Sequence, residues 1–146
     1  MSVLLFLGHA CGVIRRFNRS VVDGLFLGLG GGEAGSAAAL GDLGRHFPDS
    51  DDRWKGVSSM KLLEHVAQMI RAKGYCVGNI DATIVAQRPK FAPYIEEMRR
   101  NIAEKLDLEL EQVNVKATTE EKLGFTGEEK GISAYAVASL ERMEEK

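Results

Sequence analysis

Two stretches of the chain place apolar residues at three- and four-residue intervals, and several shorter ones alternate apolar with polar. Met60, Leu63, Val66, Ala67 and Ile70 fall on one helical face, in a helix that Ser58 or Ser59 would cap and that runs to about Lys73. Gly74 follows as a C-terminal glycine. Phe91 to Leu106 forms the second amphipathic stretch, with Tyr94, Ile95, Met98, Ile102 and Leu106 inward. Tyr75 to Gln87 reads as a strand with Cys76, Ile80, Ile84 and Val85 among its apolar positions, and Pro89, which has no backbone donor, ends it. Val113 to Thr118 and Ile132 to Leu140 read as two more strands, and residues 2–7 suit a buried one. Ala37, Ala38, Ala39 and Leu40 read as a helix end stopped at Gly41, and Gly44 to Asp52 as a loop around Pro48. Strand, helix, strand, helix, strand, strand predicts an α+β fold, a two-layer sandwich of the ferredoxin-like kind.

A length of 146 residues fits a single domain with a real core. Apolar residues at 45% and charged residues at 27% exclude a disordered chain. A net charge of −2, with both signs interspersed, argues against a dedicated nucleic-acid surface. Cys11 and Cys76 lie far apart and form no CxxC, which favours inert thiols in a reducing, cytoplasmic setting. The apolar start, Met1 to Val13, has no basic residue ahead of it and is interrupted by His9, unlike a secretory signal. Arg15, Arg16 and Arg19 precede the first acidic residue, Asp23, leaving room for a plastid-type transit segment. No segment has the length of a membrane span. The Gly-rich run at 28–32 has neither phosphate-loop spacing and reads as a connector.

Three loops carry candidate chemistry. In the first, Asp42 and Gly44 stand with Phe47-Pro48-Asp49-Ser50-Asp51, where carboxylates can accept from polyol hydroxyls or simply face water. In the second, Ala86-Gln87-Arg88-Pro89-Lys90, a stiff strand end could read a base through its backbone, with Lys90 as a point charge for phosphate. On local evidence alone, a surface lysine opening a helix is the favoured reading of Lys90. The third is the end of the Val113 strand, where Thr118 and Thr119 can donate to phosphate oxygens and Glu121 can hold a hard cation. No Ser-His-Asp or Cys-His pairing is legible, and His46 and His65 have no partner at metal-ligand spacing.

Taken in order, Ala38-Ala39-Leu40-Gly41-Asp42-Leu43-Gly44, Phe47-Pro48-Asp49-Ser50-Asp51, Ala72-Lys73-Gly74-Tyr75, Ala86-Gln87 with Pro89-Lys90, and Val113 to Gly127 resemble the 2-C-methyl-D-erythritol 2,4-cyclodiphosphate synthase family. The resemblance spans roughly residues 37–146 without an evident gap. It implies a homotrimer with sites between subunits, and a cytidine-diphosphate substrate cyclised with release of CMP. It also implies zinc and magnesium as divalent cofactors, and no nucleic-acid or membrane partner. By the same resemblance Asp42, Leu43, Gly44 and Phe47, Pro48, Asp49, Ser50 and Asp51 contact substrate. Ala86, Gln87, Pro89 and Lys90 hold cytosine and phosphate. Ala117, Thr118, Thr119, Glu120 and Glu121 meet the diphosphate, with Thr119 as the catalytic transition-state stabiliser and Glu121 as the magnesium ligand. Phe125 lines the substrate site.

Two departures accompany the match. Gly8-His9-Ala10-Cys11-Gly12-Val13-Ile14 resembles the family's zinc motif, but Gly12 and Ile14 occupy the two ligand positions, and a third zinc-binding His has no counterpart in residues 18–36. Glu128 stands where the family usually carries a basic residue. An active cyclase and a non-catalytic trimeric nucleotide-binding relative therefore both remain as readings.

Overall fold

The structure is a computed structural model that describes residues 43–144 apart from Asp49. The expected strand at 2–7, the helix end at Ala37–Leu40, Asp42, and the degenerate zinc motif with Gly12 and Ile14 lie outside the described residues. The elements in chain order are α1 (Leu43–His46), α2 (Ser59–Ala72), β1 (Tyr75–Val85), α3 (Ile95–Leu106), β2 (Val113–Thr118), α4 (Gly124–Gly127) and β3 (Ser133–Arg142).

Local chemistry sets most boundaries. Ser58 caps α2, its hydroxyl accepting from the Met60 amide at 3.2 Å, and Gly74 beyond the other end takes φ +81°. The stretch expected as loop from Gly44 to Asp52 instead begins inside the single turn of α1 and runs into a 3-10 turn, Asp52–Trp54. Asp51 organises that turn by accepting from the Arg53 amide at 3.0 Å. The helix expected from Phe91 becomes α-helical only at Ile95, after a 3-10 turn over Ala92–Tyr94. Pro93 lies in that first turn, where its missing N–H costs nothing.

The described strands form one sheet in the order β2-β1-β3, with β1 parallel to β2 and antiparallel to β3. The two helices cover one face: Leu63, Val66 and Ile70 of α2 and Met98 and Ile102 of α3 bury against Ile80, Ala82, Ile84, Val113 and Val115. Val66, Ile70, Ala82 and Ile84 have no solvent exposure, so these positions hold the layers together. β1 does not alternate evenly. Its pairing with β3 slips between Val77 and Asn79, so Val77 rather than Cys76 turns into the core. Gln112 braces the irregularity by donating its side-chain amide to the Gly78 carbonyl at 2.6 Å. Arg99 of α3 ties the helix to the head of β2, donating to the Val113 carbonyl at 2.6 Å and the Leu110 carbonyl at 2.8 Å.

Parallel pairing has a consequence for function. Val85 lies opposite Thr118, so β1 and β2 end side by side and the loops that leave them emerge together. Crevices at the carboxyl ends of parallel strands are the usual place for ligands in such sheets. The Ala86 amide extends the pairing one residue past the strand by donating to the Thr118 carbonyl at 3.0 Å.

Candidate functional site

A cavity of about 380 Å³ opens where these two strands end. Ala86, Pro89 and Lys90 line it from one loop and Ala117, Thr118 and Thr119 from the other, so the second and third candidate loops share a single site. Phe91, Ala92 and Ile95 complete the wall from the start of α3. These three escape a sequence reading that places them simply in an amphipathic helix; the usable signal was their position directly after Pro89-Lys90. Phe91 is buried and gives the cavity an apolar side, while Lys90 is exposed at its edge. The Arg88–Pro89 peptide just before Lys90 is cis. A mostly apolar recess with a few polar groups and one cation suits a flat base joined to phosphate.

Beyond Thr118 the chain enters a tight acidic turn. The Thr119 hydroxyl donates to Glu121 Oε1 at 2.6 Å, which sets that carboxylate beside the cavity. The Leu123 amide donates to the Glu120 carbonyl at 2.9 Å, and the two residues between them, Glu121 and Lys122, sit at φ +51° and +69°. Two left-handed central residues make this a type I′ turn, a conformation that disfavours side chains other than those of Gly, Asn and Asp. The Gln87 side-chain carbonyl accepts from the Lys122 amide at 3.2 Å, joining the cavity loop to the turn. Glu120 accepts the hydroxyl of Thr126, which is buried in α4, so its carboxylate is engaged inside the loop. Phe125 is more than half exposed, and its ring approaches Gly131. Glu128, at the expected basic position, pairs with Lys130 at 2.5 Å, and Glu129 pairs with Arg88 at 3.4 Å.

The described residues of the first candidate loop do not line this cavity. The Phe47 side chain is buried, edge-on to Trp54 with centroids 4.8 Å apart and 6.3 Å from the His65 ring. Arg53 grips Asp51, donating from Nη2 at 2.6 Å, and this hydrogen bond holds the Asp51 carboxyl below its ordinary range. Pro48 is half-buried and Ser50 exposed; Leu43 and Gly44 belong to α1, while Asp42 and Asp49 lie outside the described residues. His46 and His65 lie against the Phe47 ring.

Among the described residues no group of three His, Cys, Asp or Glu side chains is placed to hold a metal ion. Magnesium asks for less: it keeps several waters and takes one or two carboxylates plus substrate phosphates. The exposed Glu121 carboxylate beside Thr119 fits that demand. A protein zinc site asks for three or four ligands; no such group is placed among the described residues, and Gly12 and Ile14, which the resemblance sets at two ligand positions, carry no ligating side chain.

Residues 34–141 match the YgbB family. The 2-C-methyl-D-erythritol 2,4-cyclodiphosphate synthase of Azotobacter vinelandii is 67% identical over 104 residues, which are 71% of this chain and 66% of that protein. The synthase of the same name from Agathobacter rectalis is 61% identical over 104 residues, 71% of this chain and 59% of its own length. The chain thus spans just under two thirds of the length of these curated relatives. The bifunctional IspDF of Campylobacter jejuni superposes with a TM-score of 0.75 at 37% identity, over 86% of this chain and 32% of that one. A CDP complex of IspF from Plasmodium falciparum does so at 0.61 and 32% identity, over 70% of this chain and 61% of that one. A mixed α+β fold and these identities agree: the chain belongs to the YgbB family, the family of the 2-C-methyl-D-erythritol 2,4-cyclodiphosphate synthases.

Proposed function

We propose that this chain serves the cyclisation of 4-diphosphocytidyl-2-C-methyl-D-erythritol 2-phosphate to 2-C-methyl-D-erythritol 2,4-cyclodiphosphate, with release of CMP, in isoprenoid biosynthesis. The observation that supports it most is the shared cavity of the Ala86–Lys90 and Ala117–Thr119 segments, with the Glu121 carboxylate at its side. In the reaction an oxygen of the 2-phosphate attacks the β-phosphorus. The bond from that phosphorus to the bridging oxygen breaks, and the electron pair leaves with CMP. No covalent enzyme intermediate is needed, so alignment and charge neutralisation carry the rate.

Ala86, Pro89 and Phe91 enclose the base, and backbone groups of the Ala86–Lys90 segment read its edge. Lys90 meets phosphate as a point charge. Thr118 and Thr119 meet the diphosphate, Thr119 turning its one hydroxyl proton from Glu121 to the charge that develops on the attacked phosphoryl group. Glu121 would hold magnesium, which when bound neutralises diphosphate charge. Asp42, Leu43, Gly44 and the Phe47–Asp51 loop contact the methylerythritol part, in this reading from a neighbouring subunit, because the described residues among them do not line the cavity. Phe125 lines the same substrate site. A homotrimer with ferredoxin-like subunits, each a single domain, completes the proposal.

A second reading is favoured by Gly12 and Ile14, which place no ligand atoms at the zinc positions. It makes the chain a trimeric nucleotide-binding relative without turnover, and it leads us to expect severely impaired turnover from this chain. Incubating purified chain with the cytidine-diphosphate substrate, zinc and magnesium, and following CMP, separates the readings. CMP above background supports the cyclase; bound nucleotide that survives chelator, with no CMP formed, supports the binding relative.

A further inference from the structure

We infer that Gln87 and Thr126 are positioning residues for the Glu121 cation site, acting through the strained turn between Glu120 and Leu123. This rests on the reading of Glu121 as a magnesium ligand. Glu121 and Lys122 both hold positive φ without being glycine, a strained arrangement that persists only where surroundings impose it. Three contacts impose it here.

Gln87 accepts from the Lys122 amide at 3.2 Å, which joins the turn's backbone to the cavity loop through a side chain. Thr126, only 1% exposed, donates to the Glu120 carboxylate and fixes the residue ahead of the turn. Gly127 closes the turn from behind: a Cβ there would fall 2.5 Å from the Lys122 carbonyl carbon, so the backbones touch. The Gly127 amide adds a bond to the Leu123 carbonyl at 3.1 Å.

The result is a carboxylate whose direction is set before any ligand arrives. Relaxing the turn toward negative φ would swing Glu121 off the Thr119 hydroxyl and away from the cavity. Neither Gln87 through its side chain nor Thr126 need touch the nucleotide for this.

The test compares wild-type chain with Gln87→Ala, Thr126→Val and Thr126→Ser, titrated calorimetrically with CMP and with CDP, each with and without magnesium. CMP lacks the β-phosphate and reads the cavity alone. We expect magnesium to tighten CDP binding to wild type, and Gln87→Ala and Thr126→Val to lose that gain by about tenfold, in keeping with the strain released. CMP affinity should stay unchanged in Thr126→Val, and Thr126→Ser should restore the gain. Backbone amide exchange at Lys122 should quicken in Gln87→Ala, a readout independent of any ligand. An intact magnesium response in both variants, or equal losses for CMP and CDP in Thr126→Val, would overturn the inference. Should Thr126→Val fail to fold, Gln87→Ala, whose side chain leaves the core untouched, decides alone. Wild-type chain that binds CDP with no magnesium response would overturn the reading of Glu121 itself, and the inference with it.

Discussion

Thr119 and Glu121 face one another across Glu120, the threonine hydroxyl donating to the carboxylate at 2.6 Å, while Thr119 also lines the cavity. One residue thus belongs to both the nucleotide recess and the acidic turn. Replacing it by valine keeps the shape and removes the donor. A hydrogen bond to a charged group is worth about 1.5–3 kcal/mol, so Thr119→Val should weaken CDP binding by roughly 10- to 100-fold. CMP should be affected less, and calorimetry on the two nucleotides checks the contrast.

Lys90 stands exposed at the cavity edge. Lys90→Ala should weaken CDP more than cytidine, and it should flatten the dependence of CDP affinity on salt, since exposed charge interactions are screened. Affinities measured from low to high ionic strength test this.

Gly127→Ala should destabilise the chain by about 1–3 kcal/mol, the usual cost of forcing atoms into filled space. The added methyl meets Lys122 backbone rather than a flexible side-chain end. Urea denaturation of the variant checks the size, and unchanged stability would show that the turn yields easily.

On the open face of the sheet, Asp81 accepts from Lys116 Nζ at 2.5 Å and from Asn114 Nδ2 at 2.8 Å. The hydrogen bond from Lys116, then that from Asn114, hold its carboxyl below the ordinary range. A depressed folded value favours folding above the unfolded pKa, and that contribution is lost as pH falls through the folded one. The stability difference between wild type and Asp81→Asn should therefore be level at neutral pH and shrink in acid below the ordinary carboxylate range. The pair is exposed, so the difference should also be small and salt-sensitive.

Helix faces and the Val113 strand were legible because burial imposes a period: Met60 to Ile70 and Val113 to Thr118 sit where spacing places them, while β1 stops at Val85 rather than Gln87 and β3 runs from Ser133 to Arg142 rather than from Ile132 to Leu140. The slip at Gly78 was not, because a single unpaired residue leaves no mark on composition. It moved Val77 into the core in place of Cys76. At the site, the sequence marked Thr118, Thr119, Lys90 and Pro89 by type and order, and the parallel register then brought them together. It could not show that Gln87 turns its side chain to the Lys122 amide, or that Glu120 is taken by Thr126, because both depend on a turn with two left-handed residues. Neither Glu nor Lys advertises such a turn. Nor could it show that Phe47 packs under Trp54.

Calorimetric titration of the purified chain with CDP, with magnesium and then with chelator, bears most directly on the central claim that the two loops form one cytidine-diphosphate site. Binding at one site per chain, tighter with magnesium and reduced to the level of CMP by chelator, is the predicted result. No binding of CDP under either condition would contradict the claim.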